Sequence, residues 1–198
     1  MLTKILSATL LLLTAISLQA QKLHLGIKTD LDYNKVSGNG MSGKYQTGYQ
    51  GGAFAEIDFN KKWGFQPEVL FSQRNVKRAD NFSVYYVNTA SPQSSQMVKL
   101  SYIAVPLLAK YNINDLFSVN FGPQVSFLVY DDEDLLKADQ AAFKKIDLSL
   151  VAGVQLNLSD AFRVYGRYNY GISNINNIDS RYSWKTRQMQ LGIGMHIF

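Results

Sequence analysis

From Lys22 to Asn34 the chain alternates with a period of two. Leu23, Leu25, Ile27, Thr29, Leu31 and Tyr33 fall on one phase. His24, Gly26, Lys28, Asp30, Asp32 and Asn34 fall on the other. This period belongs to a β-strand with one apolar and one polar face. The stretch is about as long as the ~9–11 residues that a strand needs to cross a membrane. The same alternation recurs and predicts further strands over residues 47–59, 63–73, 97–112, 116–129, 146–158, 162–172 and 185–198.

The connections between these eight segments alternate in length. Short turns fall at 60–62, 113–115 and 159–161, after the second, fourth and sixth strands. Long segments follow the first, third, fifth and seventh strands and include 74–96, 130–145 and 173–184. Short periplasmic turns and longer extracellular loops are the pattern of an up-and-down outer-membrane barrel. The expected fold class is therefore all-β, an eight-stranded antiparallel up-and-down transmembrane β-barrel. The parity puts both mature termini on the periplasmic side. Pro67 lacks a ladder N–H, so a bulge or local irregularity is expected there. Leu100 and Tyr102 fall out of phase with Ile103, Val105 and Leu107, which predicts a second bulge near Pro106. A short helix over 135–143 is expected inside the 130–145 connection.

Alternation alone does not decide which face is outside, because a soluble barrel alternates too, with its apolar face inward. Two features favour the membrane. The polar face is rich in Gly, Ser, Asn and Gln and poor in the Lys and Glu of a solvated surface. Aromatic residues gather at the strand ends, where membrane interfaces place amphipathic rings. Phe59, Trp63, Tyr111, Phe117, Phe162 and Phe198 mark the periplasmic interface, and Tyr33, Tyr49, Phe71, Phe127, Tyr168 and Tyr170 the other. Leu150, Val164 and Ile193 should face lipid near mid-depth.

The first twenty residues stand apart. Met1 to Lys4 is a short n-region, residues 5–18 are mostly apolar, and Ala20 is a small residue before Gln21. This reads as a cleavable signal peptide over residues 1–20, leaving 21–198 as one barrel domain. The chain has no Cys, which excludes disulfides, thiolate metal sites and a lipid-modified N-terminal Cys. Its net charge of +5 is scattered along the chain, so nucleic acid is not an expected partner.

The stretch Ser101-Tyr102-Ile103-Ala104-Val105-Pro106-Leu107-Leu108-Ala109-Lys110-Tyr111, with Phe121-Gly122-Pro123 and the terminal Phe198, resembles the PorT-like outer-membrane β-barrel family of Bacteroidota. The resemblance covers essentially the whole mature chain. It implies the fold and a cell outer membrane location, with outer-membrane lipid and the barrel-insertion machinery as partners. Some members of the family serve the type IX secretion system. The terminal Phe resembles the signal that the insertion machinery reads, although His196 and Gly194 share its phase where apolar residues are usual.

Lys28, Asp30, Glu56, Asp58, Glu68, Lys110, Asp147, Arg163 and Arg167 point inward by phase. Eight strands leave room inside for little beyond side chains. Buried charges require partners, so a filled lumen is favoured over a conduit. Glu56, Asp58 and Glu68 are the expected partners of Arg163 and Arg167, and Asp147 is not. His24 and His196, the only histidines, should meet near the periplasmic end; no third metal ligand is legible beside them, and no metal or cofactor is expected. The Asp131–Asp134 run lacks the spacing of a calcium loop. No G-x-S-x-G elbow is present, so no catalytic residue is assigned and an enzyme is not expected. The reading is a structural or interaction protein that acts through its extracellular loops on a protein partner, assistance to a secretion assembly included. The alternatives are a small-solute pore and a lipid-modifying enzyme.

Overall fold

The computed structural model describes residues 22–86, 97–132 and 141–198. The signal-peptide segment lies outside these residues, as do positions 135–140 of the expected helix and 133–134 of the acidic run. Eight strands form: β1 (Lys22–Ser37), β2 (Gln46–Asp58), β3 (Trp63–Lys77), β4 (Met97–Asn112), β5 (Phe117–Asp131), β6 (Ile146–Asn157), β7 (Phe162–Gly171) and β8 (Lys185–His196). They close into one antiparallel barrel in chain order, with β1 hydrogen-bonded to β8. Closure leaves no edge strand, so no row of unpaired backbone groups faces lipid.

The outward phase is apolar and bare. Leu31 is 65% exposed, Leu191 68% and Phe121 58%, values that only a lipid surround makes tolerable. Leu150 and Ile193 stand on this face, exposed, but Ile193, the cross-strand partner of Val164, lies three residues from the short-turn end of β8 and not at mid-depth. Val164 is half-buried and sits two residues from the start of β7, nearer the short-turn end than mid-depth. The aromatic residues at that end are exposed at Phe59, Trp63, Phe117, Phe162 and Phe198, and Trp63 and Tyr111 pack with ring centroids 4.7 Å apart.

The three short turns share one construction. A side-chain oxygen caps the turn: Asn60 Oδ1 accepts from the Lys62 and Trp63 amides at 2.9 Å. Asn114 Oδ1 accepts from Leu116 and Phe117 at 3.0 and 2.7 Å, and Ser159 Oγ from Phe162 at 3.0 Å. Such Asx and ST turns replace backbone partners in a tight reversal.

One sequence expectation is met in one of its two forms: the ladder skips pairs around Pro67, the local irregularity expected there, and resumes in step on both sides, so the irregularity is not a bulge. Two expectations need correction. Pro106 likewise leaves its register intact, and the shift lies between Ser101 and Tyr102, with Val129 of β5 as the extra residue. Leu100 and Tyr102 keep the inward phase of β4 and are fully buried. Their apolar inward side chains are explained by what fills the loop end. Finally, β3 extends to Lys77, so Arg74 is an inward strand residue and not part of the 74–96 loop.

At the loop end, Val36, Val76, Val98, Leu100 and Tyr102 of the strands meet Met41, Ala142, Phe143, Ile175 and Trp184 from the connections. Phe82 and Tyr86, in and beside the single-turn helix α1 (Phe82–Tyr85), complete the cluster. Trp184 is fully buried, donates its indole N–H to the Asn39 carbonyl at 3.0 Å, and packs against Phe143 and Tyr86. This apolar cap roofs the barrel.

Candidate functional site

Beneath the cap the lumen holds charged side chains in three tiers. The central tier is built on Glu68 of β3. Its carboxylate accepts from the Arg167 guanidinium of β7 at 2.8 and 2.9 Å, from Lys28 Nζ of β1 at 3.0 and 3.2 Å, and from Gln66 at 2.7 Å. β3 and β7 stand on opposite walls of the ring, so the Glu68–Arg167 pair crosses the lumen. Both residues are at most 5% exposed. The Tyr165 ring lies under both cations, 3.8 Å from Lys28 and 4.8 Å from Arg167, and its hydroxyl donates to Asp30 at 2.5 Å. Gly192 makes this possible: a Cβ there would lie 2.6 Å from the Tyr165 hydroxyl.

The tier at the short-turn end is built on Glu56. It pairs with Arg163 and with Lys110, and its carboxylate lies 2.7 Å from His196 Nε2. Lys110 also reaches Asp58 at 3.3 Å. His24 stacks on His196 with ring centroids 4.8 Å apart, and the Phe54 ring lies beside His196 at 5.5 Å. Phe54 enters the lumen because Gly26 opposite it has no Cβ, which would sit 2.3 Å from the ring. Among the described residues no three of His, Cys, Asp and Glu converge as a metal site. Below this tier the barrel opens as a vestibule of about 790 Å³, lined by Asp58, Lys61, Lys110, Asp115, Asp160 and the histidine pair.

The upper tier joins Arg74 of β3 to Asp147 of β6 at 3.1 Å. Asp147 also accepts from Thr186 and Ser173, each at 3.0 Å. Arg74 rests on the Tyr102 ring at 4.4 Å and donates to Ser126 at 3.1 Å. Sequence reasoning missed Arg74 because it placed this residue in a loop. The signal was the inward phase of β3, which runs on through Leu70, Ser72 and Arg74.

Of the residues singled out in the sequence, the structure brings together Arg163 with Glu56 and Arg167 with Glu68. Asp58 meets Lys110 instead of an arginine. Asp147 stays apart from both arginines and takes Arg74. Asp32 has no cation partner among the described ion pairs. It is fully buried, accepts from Asn34 at 2.6 Å, and leaves its Oδ2 without a hydrogen bond.

The arrangement is a packed electrostatic filling of the lumen. Each glutamate faces two cations, which compensates the heavy desolvation of a buried carboxylate. Side chains from facing walls meet, so the central tier ties β1, β3 and β7 together.

Comparison with known proteins agrees with this architecture. A comparison with curated protein sequences finds no match. Among solved structures, the barrel is similar to the attachment invasion locus protein Ail of Yersinia pestis, at 18% identity over 88% of this chain and 98% of that one, with a TM-score of 0.50. Neisserial surface protein A is similar at 16% identity over 88% and 98% of the two chains, with a TM-score of 0.54. OprG of Pseudomonas aeruginosa is similar at 14% identity over 87% and 95%, with a TM-score of 0.51. At such identities the likeness is one of fold. The family model described as outer membrane protein beta-barrel domain matches residues 19–177, most of the chain. With its closed eight-stranded wall and lipid-facing apolar band, the chain belongs to the outer membrane protein beta-barrel domain family and is a protein of the outer membrane.

Proposed function

We propose that this protein is a non-conducting, non-enzymatic barrel that holds its four long connections outside the cell as an interaction surface. The observation that carries the reading is the Glu68–Arg167 pair, which joins opposite walls at 2.8 Å in the middle of the lumen. The tiers above and below it, and the apolar cap, leave the vestibule as a cup open at the short-turn end. The orientation follows from loop length: short turns in the periplasm, long connections outside. The PorT-like resemblance adds a component of a secretion assembly as the first protein partner to seek.

Planar-bilayer recording tests the closed lumen. The purified wild type should give no stepwise conductance, and robust channels would overturn the reading in favour of a small-solute pore. Maleimide labelling of intact cells tests the orientation. Lys44→Cys and Val84→Cys, both exposed at the loop end, should label, and Asn60→Cys should not. Crosslinking in native membranes followed by mass spectrometry identifies the partner, and lipid analysis of a deletion strain should find no altered lipid.

A further inference from the structure

The outward face of β8 and β1 changes character abruptly near the loop end. Going up β1, the outward residues are Leu25, Ile27, Thr29, Leu31, Tyr33 and then Lys35. Ten residues at ~3.3 Å each, tilted by ~40°, rise roughly 25 Å, which is the height of a barrel's apolar band. Lys35 therefore stands at the far membrane interface. Its cross-strand partner on β8 is Arg187, also outward, and Lys185 follows one outward step further along.

Like charges directly opposite each other on one sheet face repel and destabilise the pair. Among the described residues no carboxylate pairs with either cation, or with Lys185, to offset that repulsion, and the Arg187 Nε is buried with no hydrogen-bond acceptor. Lys185 Nζ donates to the backbone carbonyl of Ile172. Tyrosines hold the other two in place: Lys35 Nζ lies 4.6 Å from the Tyr45 ring centre, and the Arg187 guanidinium 5.5 Å from that of Tyr170. The basic residues on the β3–β4 flank are different. The Lys99 amide donates to the Asp132 carboxylate at 2.6 Å, and Asp131 pairs with Leu100 next to it, so acidic groups neighbour Lys99.

The geometry points to a binding surface for a phosphate-bearing lipid headgroup, formed by Lys35, Lys185 and Arg187 at the β8–β1 seam. Three facts converge on a lipid. The patch is outward-facing, it sits directly on the apolar band where headgroups lie, and it is framed by interfacial tyrosines. An acyl chain held along Leu31, Tyr33 and Leu191 would place its phosphates among the three cations, and the anion would relieve the Lys35–Arg187 repulsion. With the loops outside, the lipid belongs to the outer leaflet, so the choice of leaflet rests on the orientation proposed above.

Native mass spectrometry of the detergent-purified barrel with diphosphoryl lipid A is the test. The wild type should retain one lipid. Lys35→Gln/Lys185→Gln/Arg187→Gln should bind roughly a hundredfold more weakly, from the usual contribution of each basic residue near an anionic surface. Lys77→Gln/Lys99→Gln should bind like the wild type. Dephosphorylated lipid A should not be retained. Heat-modified gel mobility identifies folded barrels, so only folded variants are compared. Equal binding by the two variants, retention of the dephosphorylated lipid, or equally tight binding of inorganic pyrophosphate would each overturn the proposal. Binding in detergent does not depend on which way the barrel faces, so an orientation error, read by Lys44→Cys labelling, is separate from a failure of the lipid site.

Discussion

Arg167→Met is the sharpest perturbation of the lumen, because it removes a charge while keeping much of the side-chain volume. In the wild type Glu68 is held by Arg167 at 2.8 and 2.9 Å and by Lys28 at 3.0 Å. Breaking a buried pair by removing one partner costs about 3–5 kcal/mol. Lys28 and Gln66 remain to hold Glu68, so the expected loss is near the lower bound, about 3 kcal/mol. Glu68→Gln should cost more, about 5 kcal/mol, because it leaves Lys28 and Arg167 sharing one buried space over the Tyr165 ring. The double variant should recover part of the loss, with a coupling of about 1–3 kcal/mol between the two positions. The assay is urea unfolding from phospholipid vesicles followed by tryptophan fluorescence and linear extrapolation. The two tryptophans serve as reporters at opposite ends: Trp184 is fully buried in the cap, and Trp63 is half-exposed at the short-turn interface. Single losses below about 1 kcal/mol, or strict additivity in the double variant, would mean that the pair behaves as a solvated surface bridge. The tiers would then be wet, and the closed lumen would fail with them.

Other positions give independent checks. Leu191→Lys puts a charge on the lipid face directly opposite Leu31 and should cost about 2–4 kcal/mol in the same unfolding assay; a cost near zero would refute the membrane-facing assignment. Trp184→Ala should cost about 3–5 kcal/mol as a buried aromatic deletion, and it should speed trypsin cleavage at the exposed Arg181 in the loop that Trp184 anchors. Asp32→Asn should raise stability, by about 1–2 kcal/mol, because it removes a buried carboxylate without a cation partner while keeping its shape; a loss of similar size would reveal a role for that charge.

The period-two alternation determined most of this molecule. One face of each strand had to be apolar and the other polar, and a one-residue slip would exchange them, so strand identity and facing were legible from Leu23 to Met195. The parity of connection lengths ordered the strands, and the capping residues Asn60, Asn114 and Ser159 marked the tight turns. The inward charges were legible too, since phase alone places Glu56, Glu68, Arg163 and Arg167 inside. Phase and position along the strands also matched the carboxylates Glu56, Asp58 and Glu68 as a set with Arg163 and Arg167, and Glu56 and Glu68 do meet them. The individual pairings, and the Arg74–Asp147 pair, are set by the stagger and tilt of eight strands around a closed ring, and stagger leaves no mark in local periodicity. The upper ends of β3 and β5 were hidden for a related reason. Above the membrane the outward residues no longer need to be apolar, so the pattern fades at Asn75 and Lys77 while the backbone pairing continues. The apolar cap was hidden because Met41, Phe82, Phe143, Ile175 and Trp184 come from irregular connections with no period to read. Only the closed barrel, which brings four connections over one mouth and offers the apolar inward faces of Leu100 and Tyr102 beneath them, decided that these residues form a core.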